Sequence, residues 1–392
     1  MSDPKQEPAG PDPYEAYIRL RAGGPVQKIP TGSGGRWSYL VTGYAEAREA
    51  FTAPHLSKST ARFFADKPST RDLHPAVSQN MLATDPPEHT RLRRLVAKAF
   101  TTRAVERLRP YITRLVDELL DHMSRDSRSD LIADLAVPLP VTVICQMLGV
   151  PEKDRPRLRS WSNDLFAAGD PARIDATSHQ VAHYISGLID AKRAKPDESL
   201  LSDLIQVCDG EDRMSERELV SMAVLLLVAG HETTANFIGN AVLALLQHPD
   251  VLARLRNQPD LIRGALDELL RFDSPVSTAT FRYGTEATSL GDSEIAAGVP
   301  VLIAIGAANR DPRQYPDPDQ LDLDRDARSH LAFGHGIHHC LGTPLARAES
   351  EIALTALLAR FPRVALAVPV TDLRWRDTRL MRGLESLPVT LS

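Results

Sequence analysis

Ten residues near the C-terminal end of the chain, Phe333-Gly334-His335-Gly336-Ile337-His338-His339-Cys340-Leu341-Gly342, constrain the fold more than any other stretch. Cys340 stands just before an apolar run from Leu345 to Leu358 with helical spacing, so its sulfur falls at a helix N-terminus. Unpaired N–H groups and the positive end of the helix dipole lower a thiol pKa there and favour the thiolate, the form that binds a soft metal. Gly334 and Gly336 permit the positive φ angles of a tight loop and let a flat ligand approach the backbone. The arrangement suits a haem iron held by one axial sulfur. Two other readings stay open from the loop alone. His335, His338, His339 and Cys340 can be taken as zinc ligands, although the paired CxxC and HxxxH spacings are absent, or Cys340 as an ordinary buried apolar residue.

Composition matters for what it excludes. The three cysteines, Cys145, Cys208 and Cys340, are odd in number and far apart, which argues against a disulfide framework and for a reducing, cytoplasmic setting. A formal charge of −5 over 392 residues gives no basis for expecting nucleic acid. Residues 1–11 are polar and proline-containing and read as a flexible tail, with neither a signal core nor a spanning segment. No linker divides 12–392, which reads as a single domain. The longest apolar run, Leu219 to Gly230, is too short for a bilayer and reads as a buried helix, so no membrane partner is expected.

Taken in order, Val26–Ile29 and Trp37–Val41 flank a glycine-rich turn and signal a hairpin, whereas 52–79 lacks a sustained period and reads as a long loop. Asp85-Pro86-Pro87-Glu88-His89-Thr90-Arg91-Leu92-Arg93-Arg94 opens a helix on which His89 and Arg93 lie four apart, able to pinch one anion or simply to form a solvated basic face. Arg91, Arg94, Lys98 and Arg103 point elsewhere, as a positive patch or as solvated charges. Ser215 and Glu218 have the spacing of a capping box at the start of a helix that ends near His248. At its centre, Ala229-Gly230-His231-Glu232-Thr233-Thr234 interrupts the most apolar helix with polar groups, which cost stability unless hydrogen-bonded. A threonine bonding back to a carbonyl beside Gly230 predicts a notch there, or a kink satisfied internally. Glu268 and Arg271, three apart, form by themselves only a weak pair. After Pro275 the period shifts towards two, through 278–282, 294–298 and 301–304, giving short strands. The whole reads as mainly α with small β-sheets (α+β).

Four ordered segments together resemble one family. The pattern Phe333-Gly334-x-Gly336-x-His338-x-Cys340-x-Gly342 is similar to the haem-ligand loop of soluble bacterial cytochrome P450 monooxygenases, and Gly230, Glu232 and Thr233 are in register with the family's oxygen-binding helix. Glu268-Leu269-Leu270-Arg271 resembles its Glu-x-x-Arg element, and His89-x-x-x-Arg93 the helix that supplies partners to a haem propionate. The resemblance implies haem b (iron protoporphyrin IX) between that helix and the cysteine loop, with Cys340 as metal ligand and O2 as co-substrate. It implies cofactor contacts from His89, Arg93, Arg282, His338, Phe333, Gly334 and Gly342. Ala229, Gly230, Glu232 and Thr233 become the catalytic group, Glu232 as proton relay and Thr233 as organiser of oxygen and water, while Glu268 and Arg271 hold the core. The expected substrate pocket includes Phe63, Leu82, Leu226, Val276, Ala279 and Met381, a mainly apolar wall. The implied activity is hydroxylation or epoxidation of a bulky lipophile, by likeness to actinobacterial members a macrolide or other polyketide, with steroid, terpenoid and fatty acid as alternatives. Electrons are expected from a ferredoxin and its NAD(P)H-dependent reductase, since no strand-linked GxGxxG occurs, and a monomer is expected. A non-catalytic haem-thiolate sensor would need the loop but not Glu232 and Thr233, and a peroxygenase would often replace them. Thr343 departs from the family's usual alanine after the loop glycine.

Overall fold

Ser215 starts the chain's longest helix as its side chain demands. Its hydroxyl accepts the Glu218 N–H at 3.3 Å, and the Glu218 carboxylate accepts the Ser215 N–H at 2.8 Å. In the computed structural model, which describes residues 12–31, 35–65, 71–166, 170–209, 214–378 and 380–392, the helix then runs Glu216–Gln247, 32 residues and about 48 Å. Ser215→Ala removes the cap and should cost about 1 kcal/mol, read as a lower denaturant midpoint with an unchanged slope.

This helix is apolar nearly all round because it is packed on most sides, against Pro138–Met147, Pro171–Ala194 and Thr343–Arg360. By length and hydropathy it could cross a membrane, but 67% of its most apolar window is buried inside the fold. At Gly239 the neighbour comes so near that a Cβ would lie 2.5 Å from Ile132 Cδ1. The expected notch does not break the helix, which is α-helical through 229–234. Thr233 Oγ1 does donate back to the Ala229 carbonyl, at 3.1 Å.

Beside the helical body lies a five-stranded sheet in the order Val26–Pro30, Trp37–Val41, Pro300–Ile303, Arg282–Gly284, Leu56–Ser57. The hairpin is antiparallel, with Val26 opposite Val41. Trp37–Val41 runs parallel to Pro300–Ile303, and Arg282 pairs with Val301. Two expectations need correcting here. Residues 278–281 are not a strand, since Thr278 makes only a single bridge to Ala304 and the strand begins at Arg282. The stretch 52–79 is not one long loop: it contains the edge strand Leu56–Ser57 and the short helices Thr60–Phe64 and Pro75–Ser78. The strand follows from pairing with distant residues, Leu56 with Gly284, whereas the helices are capped locally by Ser59 and His74 and are too short to leave a period in the sequence. The expected tail, 1–11, lies outside the described residues, as do 32–34 of the hairpin turn and 66–70.

The weak-looking pair Glu268 and Arg271 is buried completely, and it fastens the approach to the cysteine loop. Arg271 binds Glu268 with both Nε and Nη2, at 2.6 and 2.7 Å. It also donates to the carbonyls of Asn309, Pro318 and Gln320 at 2.8–3.1 Å. Asn309 in turn accepts the Leu331 N–H at 2.7 Å. Two residues beyond Leu331 the ligand loop begins.

Candidate active site

The loop forms because its glycines take conformations closed to other residues. Gly334 and Gly336 have φ of +71° and +72°, and a Cβ on Gly336 would lie 3.2 Å from the Phe51 carbonyl oxygen. The loop closes through the Cys340 N–H donating to the Phe333 carbonyl at 2.8 Å. Thr343–Arg360 starts three residues after the cysteine. The Cys340 side chain is exposed to the cavity. The protein packed around it raises the thiol pKa, and hydrogen bonds from the Gly342 and Thr343 N–H groups and the Thr343 hydroxyl pull it down, as the helix end was expected to do.

Above the sulfur is a cavity of about 470 Å³. Phe333, Gly334, His338, Cys340 and Gly342 line it from the loop, and Ala229, Gly230 and Thr233 from the long helix. Leu82, Leu226, Val276, Ala279 and Met381 stand in its wall, as expected. Phe63 does not. Its ring packs on Phe64, Phe281 and Tyr283 at centroid distances of 4.8–5.2 Å, in an aromatic cluster beside the sheet. The Glu232 side chain is also absent from the cavity lining, because its place on the helix turns it towards Arg376, with which it forms an ion pair. His231 Nε2 lies 3.6 Å from it. Burial raises the Glu232 pKa, but His231 and Arg376 together outweigh it and keep the carboxylate below its usual range.

One edge of the cavity collects basic groups. His89 and Arg93, on the helix Glu88–Ala97, meet Arg282 and His338 there. His89 is 2% exposed with neither ring nitrogen partnered, and its ring lies 4.1 Å from that of His338. Arg93 donates to the His339 carbonyl at 2.6 Å. Arg282 is 2% exposed, and burial lowers its pKa to about 10. Burial, then Lys58, His89, Arg282 and Arg93, push His338 down to about 2. Sequence reading missed Lys58, also buried in this cluster, and Arg376. Neither has a local signature, since each meets its partners only through tertiary pairing. Among the described residues no carboxylate lines the cavity. Arg91, counted with the outward basic patch, instead pairs with Glu218 of the long helix.

Cations without an ion pair among the described residues and the orphaned imidazole nitrogens of His89 at the edge, a soft sulfur at the floor and apolar walls are the donor set for a flat group with two carboxylates and a soft metal at its centre.

Comparison with known proteins agrees with this geometry. A model of the family described as Cytochrome P450 matches residues 158–367. Cytochrome P450 107B1 of Saccharopolyspora erythraea is 46% identical over 385 residues, covering 96% of this chain and 95% of that protein. The 6-deoxyerythronolide B hydroxylase of the same organism is 41% identical, covering 97% and 96%. Among solved structures, the P450 monooxygenase TamI with bound tirandamycin C superposes with a TM-score of 0.91 at 45% identity, covering 97% of this chain and 98% of that one.

Proposed function

This chain belongs to the cytochrome P450 family, and from that premise we propose how its own residues serve the reaction and on which substrate. It is a P450 monooxygenase of secondary metabolism, using haem b and O2 on a small lipophilic molecule. When bound, haem b supplies activation of O2 and transfer of one oxygen atom to the substrate.

Cys340 would hold the haem iron through its sulfur, and coordination would favour its deprotonated form. His89, Arg93, Arg282 and His338 would hold the two carboxylates, while Phe333, Gly334 and Gly342 would pack against the group. The observation that carries this reading is that Cys340 and Thr233 line one cavity whose described charged lining groups are all cations. Ala229 and Gly230 leave room beside Thr233 for O2 and water. The Thr233 hydroxyl, resting on the Ala229 carbonyl, turns inward to donate a proton. Glu232, ionised and held by Arg376, which is 21% exposed, takes up a proton from the solvent side and, by a rotamer change, passes it to Thr233, returning to the carboxylate. Thr233→Ala should lower product per NAD(P)H consumed at least about tenfold and release peroxide instead; unchanged coupling would remove the role.

The substrate is a bulky lipophile of macrolide or other polyketide type. The relatives named for 6-deoxyerythronolide B and tirandamycin C support this, as does the apolar wall. Electrons come from a ferredoxin and its NAD(P)H-dependent reductase, with exposed Arg94, Lys98 and Arg103 offering a basic face to an acidic carrier. Residues 12–392 act as one domain, and the enzyme works as a cytoplasmic monomer. Titration of a lipophile panel, following the spin-state change when iron-bound water is displaced, tests the substrate class. Polyketide lactones should give the largest response, and a response confined to steroids or fatty acids would replace this assignment.

A further inference from the structure

Antiparallel register brings a second buried cation opposite Arg282. Ser57 pairs with Tyr283, and continuing that register by one residue sets Lys58 beside Arg282. Like charges directly opposite on neighbouring strands repel, and burial removes the water that would screen them. Lys58 is 4% exposed and Arg282 2%, and both line the cavity. Thr280 stands between them: its hydroxyl accepts from Lys58 Nζ at 2.7 Å and its carbonyl from Arg282 at 3.5 Å. Thr280 is neutral and cancels neither charge. The nearby carboxylate, Asp85, is engaged by the Lys58 backbone N–H at 2.9 Å and by the Ser57 hydroxyl. The other groups facing this space are also basic, His89 and Arg93 from their helix and His338 from the loop. Asp85 is thus one carboxylate set against two cations, and neither side chain forms an ion pair with it, in a place open to the cavity.

We propose that Lys58 is a further ligand of the haem carboxylates, holding one of them jointly with Arg282; this rests on the haem reading above. Burial and the Arg282 charge lower the Lys58 pKa, with Asp85 opposing, and a carboxylate set between the two cations relieves both effects.

The test uses the haem-loaded enzyme and follows transfer of haem to excess apomyoglobin. Lys58→Met, which keeps the length and apolar fit of the side chain, should accelerate transfer roughly 10- to 100-fold, the loss of one charged hydrogen bond. Lys58→Arg should restore retention. Thr280→Val removes the Nζ–Oγ1 bond and should change the rate far less than Lys58→Met. The ferrous carbonyl spectrum should stay thiolate-type in all three, since Cys340 is untouched. A wild-type transfer rate in Lys58→Met, or equal acceleration by Thr280→Val, overturns the assignment while leaving the haem reading intact. A wild-type chain that takes up no haem overturns both.

Discussion

Replacing Cys340 with alanine is expected to abolish the long-wavelength band of the ferrous carbonyl complex and, with it, all measurable monooxygenase activity. The loop does not depend on the sulfur for its shape. Its turns rest on the positive φ angles of Gly334 and Gly336, and its closure on the bond from the residue 340 N–H to the Phe333 carbonyl, both of which an alanine keeps. Fold and carboxylate cradle should therefore survive, and haem should bind more weakly. What the variant loses is the sulfur donor to the metal and the electron density a thiolate would supply. Optical spectra of the carbonyl complex of both proteins, at equal haem content, check this. Persistence of the thiolate-type band in Cys340→Ala would refute the ligand assignment.

The second large effect lies away from the chemistry. Arg271→Met should destabilise the protein by about 3–5 kcal/mol, because Glu268 is then left as a buried charge without its main partner. The damage should travel. Arg271 holds the carbonyls of Asn309, Pro318 and Gln320, and Asn309 positions Leu331 at the entrance to the ligand loop. The Asp322 backbone N–H and Arg325 Nε also donate to Glu268, at 3.0 and 3.3 Å, so part of its charge remains compensated. The expected outcome is a lower unfolding midpoint together with a substoichiometric haem content in purified protein. A variant with both values unchanged would show that the meander is held by other contacts.

Both predictions start from motifs visible in the chain, yet their legibility differs. The cysteine loop could be read because each requirement lies within a few residues: glycines at the turns, the cysteine beside them, an apolar helix next. The same holds for Ser215 and Glu218, whose reciprocal bonds are those their spacing implies. Glu268 and Arg271 were visible only as a pair. Their weight comes from burial beneath a segment some forty residues further on, which an i,i+3 spacing cannot express. Where local reading went astray, a distant partner had intervened. Phe63 joined Phe281 and Tyr283 instead of the cavity, and Glu232 turned to Arg376.

Local interactions decay within one helical turn or one tight loop, so the amino-acid order alone determined the capped central helix, the glycine-shaped loop and the cysteine ahead of its helix. The donor chemistry, and with it the family, followed from those windows. Register between strands remote in sequence, and the burial that follows from packing, decided the rest. They set Lys58 beside Arg282, left the His89 ring nitrogens without a hydrogen bond among the described residues and raised the thiol pKa against the helix end. Desolvation acts over the whole enclosure of a group, and only the assembled fold creates that enclosure.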